Sequence, residues 1–83
     1  MELTTMKNIG TEMEKKLKFI GINSAEELAS VGSNEAFFRL KFAYPNVCLV
    51  HLYSLQGAID SVDFNMLTSD TKKDLKAFSD SLK

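Results

Sequence analysis

The two residues best suited to catalysis or metal binding are Cys48 and His51, the single cysteine and the single histidine of the chain. Three residues apart on a helix, they could offer two ligands to zinc, but zinc sites use three or four protein ligands. A Cys-His nucleophile also needs access to a substrate, and this pair lies in an apolar stretch. We therefore interpret Cys48 as a packed thiol and His51 as a polar residue on the helix edge, and we expect no metal and no cofactor.

The sequence contains none of the short signatures of common enzymes. A P-loop, a dinucleotide fingerprint and a nucleophile elbow each require glycines at fixed spacing around particular side chains. The four glycines of this chain do not provide such an arrangement. We predict that the protein is not an enzyme and that it has no small-molecule substrate.

The turn Asn8-Ile9-Gly10 is the best candidate for ligand binding. A short helix, a turn and a second helix can direct backbone amides and the positive end of a helix dipole at a phosphate. The layout over about residues 3–32 looks like a helix-hairpin-helix module, whose turn usually has glycines on both sides of an apolar residue; here Asn8 replaces the first glycine. The candidate nucleic-acid-binding residues are Lys7, Asn8, Ile9, Gly10, Lys15 and Lys16.

A structural role for the same turn is the competing interpretation. Ile9 would be buried, and Gly10 would supply the positive φ of a tight reversal. Glu12 and Glu14 would also place carboxylates where a phosphate would approach. We favour the structural role and keep weak, sequence-independent DNA binding as the alternative.

Capping residues, glycines and one proline mark the helix boundaries. The predicted N-caps are Thr11, Ser24, Ser33 or Asn34, Asn46, and Thr68 or Ser69. The predicted helix ends are near Ile20 before Gly21, near Val31 before Gly32, and near Tyr44 before Pro45. These signals predict five main helices, with further helical turns at the start and near Asp63.

The stretch from Val47 to Ile59 carries no charged side chain when His51 is neutral. At helical spacing it presents one apolar face, formed by Cys48, Leu49, Leu52, Leu55 and Ile59. We predict that it forms a buried central helix. Gly57 within this helix costs about 1 kcal/mol relative to alanine, which indicates either a close helix crossing or a kink or break in the helix.

Aromatic residues lie mostly in patterns of helical period. In the helix before Pro45, the apolar set is Ala36, Phe37 and Leu40 with either Phe38 or Phe42. We assign the aromatic side chains to the core and its rim rather than to a base-stacking platform. They are Phe37, Phe38, Phe42, Tyr44, Tyr53, Phe64 and Phe78.

Length and charge place the chain among small globular proteins. Eighty-three residues suit one domain, 1–83, and a net charge of −1 gives no overall attraction to nucleic acid. The charge-free stretch is too short to span a membrane, which takes about 20 residues. The single cysteine suits a reducing compartment. We expect a cytoplasmic, all-α protein that forms a compact bundle of about five helices and has no membrane partner.

The order of these segments is similar to the carboxy-terminal domain of the TfoX/Sxy family of competence regulators. The first half of the likeness lies in Met6-Lys-Asn-Ile-Gly10, Leu17-x-x-Ile-Gly-Ile22, Ser24-Ala-Glu-Glu-Leu28 and Val31-Gly-Ser-x-Glu-Ala36. It continues through Arg39-Leu40, Pro45, Leu52-Tyr-x-Leu-Gln-Gly-Ala58 and Asp63-Phe-Asn-x-Leu67. The family more often has an acidic residue at the place of Gln56 and tryptophan at the place of Phe64.

The resemblance implies a small all-helical domain that has no catalytic residues and is tied in some members to the regulation of DNA-uptake genes. Full-length members carry an additional amino-terminal domain, so we expect this chain to be a stand-alone copy of the carboxy-terminal piece. Our main hypothesis is a non-catalytic regulatory or protein-interaction domain that binds another protein or itself.

Overall fold

The computed structural model describes residues 1–82, which form five α-helices and two short 3₁₀ turns and contain no strand. The helices are α1 (Thr11–Phe19), α2 (Ala25–Val31), α3 (Ser33–Ala43), α4 (Leu49–Asp60) and α5 (Ser69–Ser81). The 3₁₀ turns are Leu3–Thr5 and Phe64–Met66. The predicted all-α class with about five helices is therefore confirmed, and both extra turns form where they were expected.

Helix α4 lies at the centre of the bundle. It packs against α2, α3, α5 and the second 3₁₀ turn. Leu52 and Leu55 are fully buried, and Ala58 is nearly so. One core joins them to side chains from the rest of the chain, including Leu3, Ile9, Leu17, Ile22, Leu28, Phe37, Leu40, Val47, Leu67 and Leu75. The prediction of a buried central helix is confirmed.

The start of α4 differs from the prediction. The helix begins at Leu49 with Cys48 as its N-cap, so Asn46 does not cap it. The backbone amide of Cys48 donates to Nδ1 of His51 at 3.0 Å and closes the first turn. Cys48 is exposed, so the interpretation of a packed thiol is wrong. Its side chain belongs to the cap and not to the buried face of the helix.

Two other predicted N-caps are displaced by one residue because a glycine takes the cap position. Gly10 caps α1, and Thr11 is already the first helical residue. Gly32, with φ of 89°, ends α2 and caps α3 at once. Ser33 is buried, and its hydroxyl donates to Oε1 of Gln56 on α4 at 2.5 Å. The serine thus links two helices instead of capping one.

The remaining helix ends form from local signals as predicted. Gly21 has φ of 90°, its amide donates to the Lys18 carbonyl, and the Ile22 amide donates to the Leu17 carbonyl at 2.9 Å. These two bonds make a Schellman motif, which satisfies carbonyls left without helical partners. The hydroxyl of Ser24 accepts from the Glu27 amide at 3.1 Å. Helix α3 ends at Ala43, just before Tyr44 and Pro45.

Helix α5 closes the bundle on one side of α4. The Thr68 hydroxyl accepts from the Thr71 amide at 3.2 Å and caps the helix, as predicted. Leu75 is buried, and Phe78 and Leu82 lie on the same side of the helix and pack against the core. No helix in this described part of the chain has the length and apolar character needed to cross a membrane.

Candidate functional site

The Asn8-Ile9-Gly10 turn is a tight hairpin between the first 3₁₀ turn and α1. The Ile9 amide donates to the Met6 carbonyl at 3.4 Å, and the Ile9 side chain is buried at 5% exposure. The positive φ of the turn belongs to Asn8, at 70°, whereas Gly10 is in an extended conformation with φ of −95°. The expectation that Gly10 supplies the positive φ is wrong. Asparagine tolerates the left-handed region better than most residues do.

The side chain of Asn8 ties the hairpin to distant parts of the chain. Its Nδ2 donates to the Val62 carbonyl at 3.0 Å and to the Ser54 carbonyl at 3.4 Å. Its Oδ1 accepts from the Phe64 amide at 3.3 Å. Both the nitrogen and the oxygen of this side-chain amide therefore form hydrogen bonds within the protein. Asn8 acts as a clamp between the hairpin, α4 and the second 3₁₀ turn.

The Asn8 side chain and the Val62 carbonyl lie directly against α4 at Gly57. A Cβ atom at Gly57 would lie 2.5 Å from Nδ2 of Asn8 and 2.6 Å from the Val62 carbonyl oxygen. Helix α4 runs without a break from Leu49 to Asp60. Of the predicted explanations for Gly57, a break in the helix is wrong. A close approach is present, but it is made by a polar side chain and a loop carbonyl rather than by a crossing helix.

The lysines near the hairpin are in different environments. Lys7 and Lys15 are exposed, whereas Lys16 is half-buried, with its Nζ 5.4 Å from the centre of the Tyr44 ring. A cation over an aromatic face is attracted to the ring electrons, so Lys16 contacts Tyr44 at the end of α3. Glu12 and Glu14 both lie in the first turn of α1. The structure brings Asn8, Ile9 and Gly10 together, and it leaves Lys7 and Lys15 as the solvent-facing cations.

Cys48 and His51 are close in space but do not form a larger cluster. The Cys48 Sγ lies 3.5 Å from Nδ1 of His51. Burial lowers the pKa of His51 below its usual value, and the positive charge of Lys16 lowers the pKa further. Across residues 1–82, no group of three or more histidine, cysteine or acidic side chains could hold a metal ion.

Three phenylalanines on α1 and α3 form an exposed surface that we call the aromatic face: Phe19, Phe38 and Phe42. Their side chains are 73%, 49% and 87% exposed. All three line one groove of about 360 Å³, together with Ile20, Arg39 and Ala43. The Phe19 ring also meets the Tyr44 ring edge to face at 5.7 Å. The groove is therefore an almost wholly apolar concavity open to solvent.

A second, smaller groove continues the aromatic face toward the end of α5. It is lined by Phe38, Lys41, Phe42 and Leu82 and measures about 180 Å³. Phe38 and Phe42 line both grooves, so they form a ridge between them. An apolar concavity with a few polar groups at its edge is the usual form of a binding site.

The sequence reasoning missed the aromatic face, although the helical period contains its signal. Ala36, Phe37 and Leu40 are fully buried, and at about 100° per residue Phe38 and Phe42 fall on the opposite side of α3. Placing either of them with the buried set was therefore wrong. Phe19 lies opposite the buried residues of α1 by the same construction, and it was not singled out.

Comparison with known proteins agrees with this fold. The family model described as the TfoX C-terminal domain matches residues 1–79. A crystal structure of an uncharacterized protein from Listeria monocytogenes, in a triclinic form, is similar with a TM-score of 0.96 and 38% identity, covering 99% of this chain and 93% of that one. A protein of unknown function from Listeria monocytogenes, in a tetragonal form, has a TM-score of 0.95 and 38% identity, covering 99% and 100%.

No curated protein matches the chain. The family match extends over nearly the whole sequence and includes both the hairpin and the central helix. The chain therefore belongs to the TfoX C-terminal domain family.

Proposed function

We propose that this chain is a non-catalytic regulatory or protein-interaction domain and that its partner binds at the aromatic face. The observation that carries the proposal is the grouping of Phe19, Phe38 and Phe42 around one open apolar groove. Scattered exposed apolar residues are ordinary, but a contiguous apolar patch on a monomer usually marks an interaction site.

The energetics of the three side chains agree with a binding role. A phenylalanine fully transferred from water to an apolar surface contributes about 1.5–3 kcal/mol. Phe42 is 87% exposed, so it contributes little of this to the fold, whereas Phe37 on the same helix is fully buried. The free energy of burying these phenylalanines is therefore gained only when another surface covers the aromatic face. Aromatic residues are also enriched in the energetically important parts of protein interfaces.

Family membership supports the regulatory part of the proposal. The domain family takes its description from TfoX, and the likeness noted in the sequence is to regulators of DNA uptake. In our proposal the domain takes part in such regulation from the cytoplasm, through contact with another protein or with a second copy of itself.

Site-specific photo-crosslinking tests the proposal. The photoreactive residue p-benzoylphenylalanine would replace Phe42 in one variant and Met66 in the other. Met66 is a matched control because it is 71% exposed and lies on the second 3₁₀ turn, outside both grooves. In cells of the source organism, we expect a discrete cross-linked product from position 42 and none from position 66.

Mass spectrometry of the product would then identify either another protein or a second copy of the chain. The proposal is abandoned if position 42 yields no product, or if positions 42 and 66 yield the same products. Thermal melting of both variants provides the check that each one is folded. Because both replaced side chains are exposed, neither substitution should lower the melting temperature by more than a few degrees.

A second candidate function is weak, sequence-independent DNA binding at the hairpin. The specific observation in its favour is the φ of 70° at Asn8, which keeps the hairpin in the form that a glycine would adopt. Lys7 and Lys15 are exposed near the start of α1 and could contact phosphates. The exposed Glu12 in the first helical turn opposes such binding. We rank this function second for that reason.

Charge reversal tests whether DNA binds at the hairpin or elsewhere on the surface. The test variant is Lys7→Glu/Lys15→Glu, and the control is Lys73→Glu/Lys76→Glu on α5, which changes the net charge equally. Lys16 is left unchanged because it contacts Tyr44. Binding to duplex DNA, measured by fluorescence anisotropy, should weaken with salt and disappear only in the hairpin variant. Equal loss in both variants, or no loss in the first, would exclude the hairpin.

A further inference from the structure

We propose that the aromatic face accepts an acidic amphipathic helix from another protein, whose apolar side chains enter the grooves beside Phe38 and Phe42. This inference rests on the proposed interaction function and specifies the chemistry of the partner. It is based on the charges around the face and on the shape of the grooves.

The two segments that carry the aromatic face contain charges of only one sign. The two segments that carry the phenylalanines are residues 15–19 and 38–42, and both end in the sequence Leu-Lys-Phe. Together they contain five cations and no acidic residue: Lys15, Lys16, Lys18, Arg39 and Lys41. The chain as a whole has a net charge of −1, so the positive charge is concentrated on this surface rather than spread over the molecule.

The contacts of these cations leave the surface with an excess of positive charge. Arg39 bonds Oε2 of Glu35 at 2.9 Å, and Lys18 lies 3.9 Å from Glu14. Lys41 donates to the neutral Val47 carbonyl at 2.8 Å, and Lys16 lies over the Tyr44 ring. Two of the five cations are therefore paired with carboxylates, and Lys16 and Lys41 contact neutral groups. Complementary charge steers association and selects among partners, which favours an acidic partner.

The grooves favour side chains presented by a helix. Phe38 and Phe42 are four residues apart, one helical turn, and form the ridge between the two grooves. Side chains at such spacing on a second helix fit into the spaces on either side of a ridge. Recognition of this kind uses apolar anchors at positions i, i+3 or i+4, and i+7. An acidic helix with such anchors satisfies both the shape and the charge of the face.

A second copy of the chain is a poorer occupant. In a two-fold symmetric dimer the same patch meets itself, so the five cations of one copy would approach those of the other. An anionic lipid surface and a single-stranded nucleic acid would match the charge. Neither uses two concave apolar grooves as well as a helix does. These three occupants become outcomes of the experiment below.

Peptide display tests the proposed partner directly. The probe is a library of helix-forming peptides of about four turns, with random acidic, basic and neutral residues beside apolar positions. It would be selected on the wild-type chain and counter-selected on Phe42→Ser. We expect enrichment of peptides that combine acidic residues with apolar residues at helical spacing. Neutral or basic peptides enriched in a Phe42-dependent way would overturn this inference and leave the proposed function standing. No Phe42-dependent enrichment would overturn this inference, whereas the proposed function is decided separately by the crosslinking at position 42.

Affinities of one selected peptide give the second readout. Phe42→Ser should weaken binding about thirtyfold or more, as expected for an aromatic residue at the centre of an interface. The matched control Met66→Ser should change it by less than about twofold. Lys18→Gln/Arg39→Gln should weaken binding about three- to tenfold, and this difference should shrink as salt rises. A charge variant with unchanged affinity contradicts an acidic partner.

Binding of the three competing occupants is measured with the same pair of proteins. The wild-type chain and Phe42→Ser would be compared for sedimentation with phosphatidylserine vesicles, binding to single-stranded oligonucleotides, and self-association by analytical ultracentrifugation. We expect no difference between the two proteins in any of the three. A Phe42-dependent signal that exceeds peptide binding in one of them assigns the face to that occupant and refutes the acidic helix.

Discussion

Replacement of Gly57 by alanine should destabilise the protein, although the same change in an open helix would stabilise it. Alanine is favoured over glycine inside a helix by about 1 kcal/mol. In α4, however, the new methyl group would lie 2.5 Å from Nδ2 of Asn8 and 2.6 Å from the Val62 carbonyl oxygen, whereas ordinary contacts begin at 3.4 Å. The Val62 carbonyl is backbone and accepts from Asn8, so both groups must move.

The size of the effect follows from three contributions. Overpacking costs about 1–3 kcal/mol. Loss of the two hydrogen bonds donated by Asn8 costs about 1 kcal/mol each, and the helix propensity of alanine returns about 1 kcal/mol. The net expected loss is about 2–4 kcal/mol in the free energy of unfolding. For a domain of this length, that corresponds to a decrease of roughly 10–30 °C in melting temperature.

Urea denaturation followed by circular dichroism measures this loss, with Gly10→Ala as the matched control. Gly10 has no atom within 4 Å of its Cβ position and φ of −95°, so its replacement should cost less than about 1 kcal/mol. Asn8→Gly in the Gly57→Ala background should add less than it does alone, because the shared hydrogen bonds are already lost. A neutral or stabilising Gly57→Ala would refute the packing of Asn8 and Val62 on α4.

Three further outcomes are expected. Leu52→Ala should cost about 2–5 kcal/mol in urea denaturation because Leu52 is fully buried; a loss well below 1 kcal/mol would contradict the central position of α4. Burial, and then Lys16, lower the pKa of His51 from 6.5. The unfolded chain then binds this proton more readily. The contribution of His51 to the free energy of unfolding should therefore be fully present above about pH 6.5 and decline as the pH falls below it. In urea titrations this decline should be smaller in His51→Gln, and equal slopes would exclude His51 as its source. Cys48 is exposed, so iodoacetamide should alkylate it without denaturant, as measured by mass spectrometry; protection of the thiol in the native protein would contradict that exposure.

Local sequence predicted the helix ends whose capping bonds stay within a few residues. The Schellman motif at Gly21, the Ser24 cap and the Thr68 cap each join groups that are five residues apart or fewer. Such bonds depend on the residue types at neighbouring positions and on little else. The core-facing side of α5 was predictable for a similar reason, since helical spacing alone brings Leu75 and Phe78 to one side.

The parts of the site that sequence reasoning missed differ in kind. Phe38 and Phe42 lie on the side of α3 opposite Phe37. This placement follows from the helical period and could have been predicted. Their exposure could not, because an apolar side of a helix is exposed only if no other element covers it. The aromatic face is left open because α1 and α3 turn their other sides to the core, a choice made by the packing of the whole bundle.

The sequence by itself determined the all-helical class, most helix ends and the apolar character of α4, since these depend on spacing and on bonds between neighbours. Only the tertiary structure decided what the Asn8 side chain of the hairpin contacts. Asn8 and Val62 are separated by 54 residues, and no local pattern indicates that they meet over Gly57. That contact makes the Asn8 side chain an internal clamp, and it explains why residue 57 of the continuous central helix is a glycine.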